Sequence, residues 1–118
     1  MSEPTIIIVE DDTILGESFA EIYRLNDYNV QLIADGQGAA AAIRELAPRL
    51  LLLDMHLPHV SGFDILKELR ADPALDSMKI VVVSADAVMA QASEALADAT
   101  LLKPVTINQL LGLLQLIA

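Results

Sequence analysis

The chain has 118 residues, 54% hydrophobic but only 3% aromatic, so a single domain with an aliphatic core is expected over residues 1–118. Seventeen acidic and seven basic residues give a formal net charge of −10 with no Lys/Arg cluster, which disfavours direct nucleic-acid binding and attraction to an anionic membrane. Cys is absent, so disulfides and thiolate metal sites are excluded, and neither a secretory signal nor an apolar run near the ~18 residues of a bilayer span is present; a cytoplasmic domain is expected.

Thr5 to Val9 is β-branched throughout and reads as a buried strand, ended by Glu10-Asp11-Asp12. Leu15, Phe19 and Ile22 follow at helical spacing, and Asn26-Asp27 closes that helix. Asn29 to Ile33 reads as a second strand, Asp35-Gly36 as a turn, and Gly38 to Leu46 as an Ala-rich helix stopped by Pro48. Leu50 to Leu53, four consecutive leucines ending in Asp54, reads as a third strand buried on both faces. Pro58 and Gly62 punctuate the following loop, and Phe63 to Arg70 forms a third helix with Ile65, Leu66 and Leu69 inward. After Asp72-Pro73 come a fourth strand, Lys79 to Ser84, and a fourth helix, Ala87 to Leu96. Thr100-Leu101-Leu102 is a short fifth strand ending at Lys103-Pro104. Ile107, Leu110, Leu111, Leu114 and Ile117 mark a last helix, with Leu113 and Leu116 off its main apolar stripe. Five alternations with short links predict an α/β fold, a doubly wound parallel sheet of five strands with five helices on its two faces.

Ligands of open parallel sheets bind beyond the carboxyl ends of the strands. Four such ends carry polar groups: Glu10, Asp11 and Asp12 on the first strand, Asp54 on the third, Ser84 on the fourth and Lys103 on the fifth. Adjacent carboxylates resist joint ionisation unless a cation joins them, and an oxygen-rich site with few carboxylates suits Mg²⁺. A carboxylate, a hydroxyl, an ammonium and Mg²⁺ around one point describe a phosphoryl-transfer site in which Asp54 is the nucleophile. Each residue also has a plainer reading. Asp11 and Asp12 could cap the first helix, Ser84 could cap the fourth, and Lys103 could be an ordinary surface lysine. His56 and His59 read as rim residues, and with no third nitrogen or sulfur ligand zinc is not expected.

At this point the chain resembles a response-regulator receiver domain of two-component signalling, similar to the single-domain chemotaxis-type regulators. The family's acidic pair is matched by Asp11 and Asp12 in Val9-Glu10-Asp11-Asp12; its acceptor Asp, with Pro four and Gly eight residues later, by Asp54, Pro58 and Gly62; its hydroxyl and small residue by Ser84-Ala85; its Lys-Pro by Lys103-Pro104. The resemblance implies a flavodoxin-like sheet of order 2-1-3-4-5 and a cis Lys103-Pro104 bond. It implies Mg²⁺, or Mn²⁺ in its place, held by Asp11 or Asp12, Asp54 and the backbone carbonyl of His56. Asp54 would accept the phosphoryl group of a phosphohistidine on a histidine kinase or histidine phosphotransfer domain. The result would be read by a downstream protein partner or by self-association through the face formed by helix four, strand five and helix five. No output domain is expected in these 118 residues, and no enzyme activity beyond self-phosphorylation and autodephosphorylation.

Two departures from the family stand out. The aromatic usual three residues before the Lys is Thr100, the position that turns inward as the Ser84 hydroxyl moves; the Gly-Ala that commonly precedes this strand is Leu96-Ala97. The alternative expectation is therefore an interaction module with atypical or phosphorylation-independent switching. Second, His56 and Asp86 stand two residues beyond Asp54 and Ser84, where a contact between them would tune hydrolysis. A phosphatase with a nucleophilic Asp fits less well, because the acid such enzymes need two residues on is His56, and flavin binding lacks a phosphate loop after the first strand.

Overall fold

The computed structural model describes residues 4–118; the expected domain, 1–118, begins three residues outside that range. Five parallel strands, β1 (Ile6–Val9), β2 (Val30–Ile33), β3 (Leu50–Asp54), β4 (Lys79–Ser84) and β5 (Ala99–Leu102), form one sheet in the order β2-β1-β3-β4-β5. The helices are α1 (Thr13–Leu25), α2 (Ala39–Leu46), α3 (Gly62–Arg70), α4 (Ala87–Ser93) and α5 (Ile107–Gly112). The predicted fold class, strand order and helix number are those of the structure.

The aliphatic runs become central strands because a parallel sheet offers them two covered faces. Ile7, Val9, Leu51, Leu53, Ile80 and Val82 face Ile43 of α2 and Ile65, Leu66 and Leu69 of α3, with Met89 of α4 packed alongside. Ile6, Ile8, Leu50, Leu52, Val81 and Val83 face Phe19 and Tyr23 of α1 and Leu110, Leu113 and Ile117 at the carboxyl end of the chain. Each fully buried aliphatic side chain contributes about 1.5–3 kcal/mol of transfer free energy. Register fixes the functional edge: Asp54 stands opposite Val83, and Ser84 opposite Leu102, so the carboxyl ends of β3, β4 and β5 come level.

The structure extends one detail and corrects two. In α1 Leu15, Phe19 and Ile22 all pack on the core as expected, Leu15 and Ile22 only partly buried, and Gly16, Ala20 and Tyr23 join the buried face. The stripe turns toward Tyr23 because its phenol donates to the Leu110 carbonyl of α5 at 2.7 Å, satisfying a fully buried hydroxyl. The fourth helix stops at Ser93 rather than Leu96; beyond it the N–H groups of Glu94 and Leu96 bond three residues back. The last helix tightens into a 3₁₀ turn over Leu113–Ile117. Leu113, three residues after Leu110, shares its face and is buried, not set off the apolar stripe.

Candidate functional site

Four chain segments deliver side chains to the carboxyl edge of the sheet. Glu10 follows β1 and still donates its N–H to Ile33 of β2, so it keeps the strand's alternation. Gly16 of α1 lies directly over it, and a Cβ there would touch the Glu10 side chain at 3.6 Å. Both Glu10 and Asp54 are 5% exposed. Lys103 reaches between them from the β5–α5 link: its Nζ lies 2.7 Å from Glu10 Oε1 and 3.4 Å from Asp54 Oδ2. Lys103 N–H bonds the Ser84 carbonyl, which ties this link to the end of β4, and the Lys103-Pro104 peptide is cis. Glu10 Oε2 accepts the Asp12 N–H, and Asp54 Oδ1 accepts the His56 N–H at 3.2 Å.

Charge sets the character of the site. Burial pushes the Glu10 carboxyl up to about 7, against the Lys103 and Asp12 hydrogen bonds that lower it; the Asp54 charge adds to the rise. Burial opposes the Lys103 ammonium, but Glu10 and Asp54 outweigh it and hold Lys103 above its ordinary value. Oxygen atoms of Glu10, Asp11 and Asp54 lie within 4.8 Å of one another. One ammonium cannot balance three carboxylates. The donor set is all oxygen and one member, Asp11, opens to solvent, which suits a hard divalent cation that keeps part of its water.

The acidic pair is thus not the one expected. Asp11 reaches Asp54, but Asp12 does not join the cluster: its carboxylate accepts the Leu15 N–H at 3.1 Å as the N-cap of α1. The orphan amides of the helix start hold it there, and Glu10 takes the second place. The sequence put Glu10 at the strand end with the other acids but gave it no place in the metal set, although its parity with Ile6 and Ile8 carried the signal.

The remaining predicted residues ring the cluster. Ser84 is fully buried; its hydroxyl accepts the Asp86 N–H at 3.0 Å and contacts the Asp86 carbonyl. Asp86 caps α4 through Val88 and Met89 with Oδ1, while its Oδ2 stands 3.8 Å from His56 Nε2. His56 and Asp86 therefore meet across the mouth of the site. His59 pairs with Asp35 on the other side at 3.0 Å. Thr100 is half-buried in β5 and, with Ala87, Ala90 and Gln109, lines an open groove of about 480 Å³ toward α4 and α5.

Comparison with known proteins fits this geometry. Residues 6–115 match the family described as response regulator receiver domain. The chain is 33% identical over 99 residues to the DNA-binding response regulator MtrA of Mycolicibacterium paratuberculosis, covering 84% of this chain and 44% of that protein. It is 29% identical over 114 residues to the DNA-binding dual master transcriptional regulator RpaA of Synechocystis, covering 92% and 46%. The chain therefore spans about half the length of the curated relatives it matches. Among solved structures, the CheY-like receiver domain protein of Methanospirillum hungatei superposes with a TM-score of 0.82 at 31% identity, covering 97% of this chain and 92% of that one. A CheY-like receiver domain from Methylobacillus flagellatus gives 0.86 at 30% identity, covering 99% and 100%. With Asp54, its acidic neighbours and Lys103 at one sheet edge, this chain belongs to the response regulator receiver domain family of two-component signalling.

Proposed function

We propose that Asp54 is the phosphoryl acceptor of this receiver domain, charged by a phosphohistidine of a histidine kinase or phosphotransfer domain. The supporting observation is the convergence of Lys103, Glu10 and Asp11 on a nearly buried Asp54. An Asp54 carboxylate oxygen forms the new bond to phosphorus as the histidine N–P bond breaks; the imidazole nitrogen keeps that electron pair and takes a proton from solvent. Lys103 supplies positive charge to the phosphoryl oxygens and keeps Asp54 from sharing the site with an uncompensated Glu10. Asp11 and Asp54, with the His56 carbonyl that the family resemblance adds, would hold Mg²⁺ or Mn²⁺, which offsets charge on the transferring group. Glu10 supports that pair in the place first given to Asp12.

Ser84 is the hydroxyl placed to leave the Asp86 backbone and turn toward a phosphoryl group, and Thr100 lies on the face through which that change reaches a protein partner. His56 and Asp86, meeting over the mouth, control the access of water and so the lifetime of the acyl phosphate. The exchange takes place in the cytoplasm. The relatives' names describe DNA binding, but a net charge of −10 opposes contact of these residues with nucleic acid, so the output is read by protein.

The test is incubation with Mg²⁺ and a small phosphodonor such as acetyl phosphate, followed by intact mass. Gain of one phosphoryl group, lost in Asp54→Asn and without divalent cation, is expected. No adduct under any donor and cation concentration would overturn the assignment.

A further inference from the structure

Both histidines of the chain lie in the loop of residues 55–61 between β3 and α3, His56 beside Asp54 and His59 nearer the tip. The base of that loop is closed, since Gly62 donates its N–H to the Met55 carbonyl at 3.1 Å. The tip is held from outside. His59 Nδ1 stands 3.1 Å from Oδ1 and 3.0 Å from Oδ2 of Asp35, in the turn after β2. A proton on Nδ1 makes this a donated hydrogen bond. Beside the pair the two loops meet along the backbone, where a Cβ on Gly36 would stand 2.8 Å from the Val60 carbonyl oxygen. His59 reaches Asp35 from a left-handed backbone, φ 70°, which a residue other than glycine keeps only where its surroundings hold it. Asp35 is fixed as well. Its Oδ1 accepts the Gln37 N–H at 2.9 Å, and that bond, followed by the His59 contact, holds the carboxyl below its usual range.

His56 rides on the same loop. Its N–H bonds Asp54 Oδ1 at 3.2 Å, and its ring meets Asp86 at 3.8 Å over the mouth of the site. Neither contact is short, and the His56 ring and the Asp86 carboxylate are both open to solvent, so where the ring sits depends on where the loop sits. With the base closed, the freedom left to the loop is a swing of its tip away from the turn after β2, and the His59–Asp35 pair opposes that swing. We propose that His59 is a positioning residue: paired with Asp35, it pins the tip so that His56 keeps its N–H on the Asp54 carboxylate and its ring against Asp86. One consequence rests on the acceptor role proposed for Asp54, namely the lifetime of the acyl phosphate. In its hydrolysis water forms the new bond to phosphorus, and the bond from phosphorus to the Asp54 oxygen breaks. That electron pair returns to the carboxylate, and the protons of the water end on phosphate or in solvent. A tip that swings out carries the His56 ring from the mouth and admits this water.

The experiment compares the parent chain with His59→Gly, His59→Asn and Asp35→Ser. Glycine suits the left-handed backbone and removes the imidazole. Asparagine also suits that backbone and places an N–H donor where Nδ1 stands. Serine keeps an acceptor for the Gln37 N–H but is too short to reach His59. In the metal-free, unphosphorylated chain, exchange of the His56 amide with water, read by NMR, should be about two- to fivefold faster in His59→Gly and Asp35→Ser, the range an exposed ion pair supports. It should return to the parent rate in His59→Asn. Exchange at Ile65 and Leu66 in α3 should not change, which separates a moved loop from a weakened fold. After treatment with Mg²⁺ and acetyl phosphate, the adduct should decay faster by a similar factor in the same two variants. Equal exchange at His56 in the parent and His59→Gly, or no recovery in His59→Asn, would overturn the positioning role. Faster exchange with unchanged decay would overturn its consequence for the lifetime. Absence of an adduct from all four chains would count against Asp54 as acceptor, and the exchange rates would still decide the role of His59.

Discussion

Replacing Gly62 by Ala probes how closely the loop after β3 holds Asp54. Gly62 opens α3 and donates its N–H to the Met55 carbonyl at 3.1 Å. A Cβ at this position would stand 2.1 Å from the Asp54 carbonyl oxygen and 2.7 Å from Met55 Cα. Both are backbone atoms, so no rotamer change gives relief. Ordinary contact begins near 3.4 Å, and the end of β3 and the start of α3 must part by roughly an ångström. Overpacking costs about 1–3 kcal/mol where side chains can yield. With backbone on both sides the cost sits at the top of that range, and the gain of roughly 0.5–1 kcal/mol for Ala over Gly in a helix offsets only part of it. A net loss of about 2 kcal/mol is expected in urea unfolding, read from the midpoint at unchanged slope. Displacing the acceptor by that distance should also slow phosphoryl uptake by about a hundredfold. Gly112→Ala is the control: its backbone is helical, nothing lies within 4 Å of a Cβ, and a gain of roughly 0.5–1 kcal/mol is expected. A Gly62→Ala chain with the parent's midpoint and the parent's uptake rate would refute the steric reasoning.

Three further outcomes follow from the site and its supports. Because the Glu10 carboxyl is raised from 4.5 to about 7, the folded chain holds its proton over a range where the unfolded chain has lost it. The metal-free protein should therefore lose stability as pH rises from 4.5 through 7 relative to Glu10→Gln, and a flat difference between the two pH–stability curves would contradict this. Asp12→Ala should cost about 1 kcal/mol of stability through the lost cap yet leave divalent-cation affinity within twofold, whereas Asp11→Asn should weaken it by tenfold or more; equal losses in calorimetry would return Asp12 to the site. Tyr23→Phe removes the donor of a fully buried bond and leaves the Leu110 carbonyl short of a partner, so chemical denaturation should show a loss of about 1–2 kcal/mol.

The fold was legible because its signals were of two different periods and rarely overlapped. Runs such as Ile6–Val9 and Leu50–Leu53 are too short for helices and too apolar for half-exposed strands, so they read as the middle of a parallel sheet. Caps were less legible: Asp86, not Ser84, caps α4, and Thr106 with Gln109 forms a reciprocal pair before α5 that the apolar spacing does not reveal. The carboxyl end was misread for a reason that sequence conceals. Leu113 and Leu114 are chemically alike and both stand one turn after Leu110, at i+3 and i+4, so the spacing alone does not say which is buried and which half-buried.

The gathering of acids and Lys103 at one sheet edge was legible, and the sorting of the acids within the first run has a physical origin. In Glu10-Asp11-Asp12 three carboxylates compete for two environments, the sheet edge and the amino end of α1. Counting from the helix favours Asp12 for the metal only if nothing else claims its side chain. Yet the N–H of Leu15 needs an acceptor, and Asp12, three residues before it, is the residue whose reach fits. Counting from the strand gives the better answer. Glu10 still pairs with Ile33, so its side chain follows Ile6 and Ile8 onto the face that α1 and α5 cover, and Lys103 enters beside it from the chain leading into α5. There a shorter carboxylate would leave Lys103 with Asp54 alone, at 3.4 Å, while the longer Glu closes the pair at 2.7 Å. The two ends of one acidic run are thus sorted by different hydrogen-bond demands, and the strand's alternation, not the distance to the helix, selects which carboxylate stands with Lys103 beside Asp54.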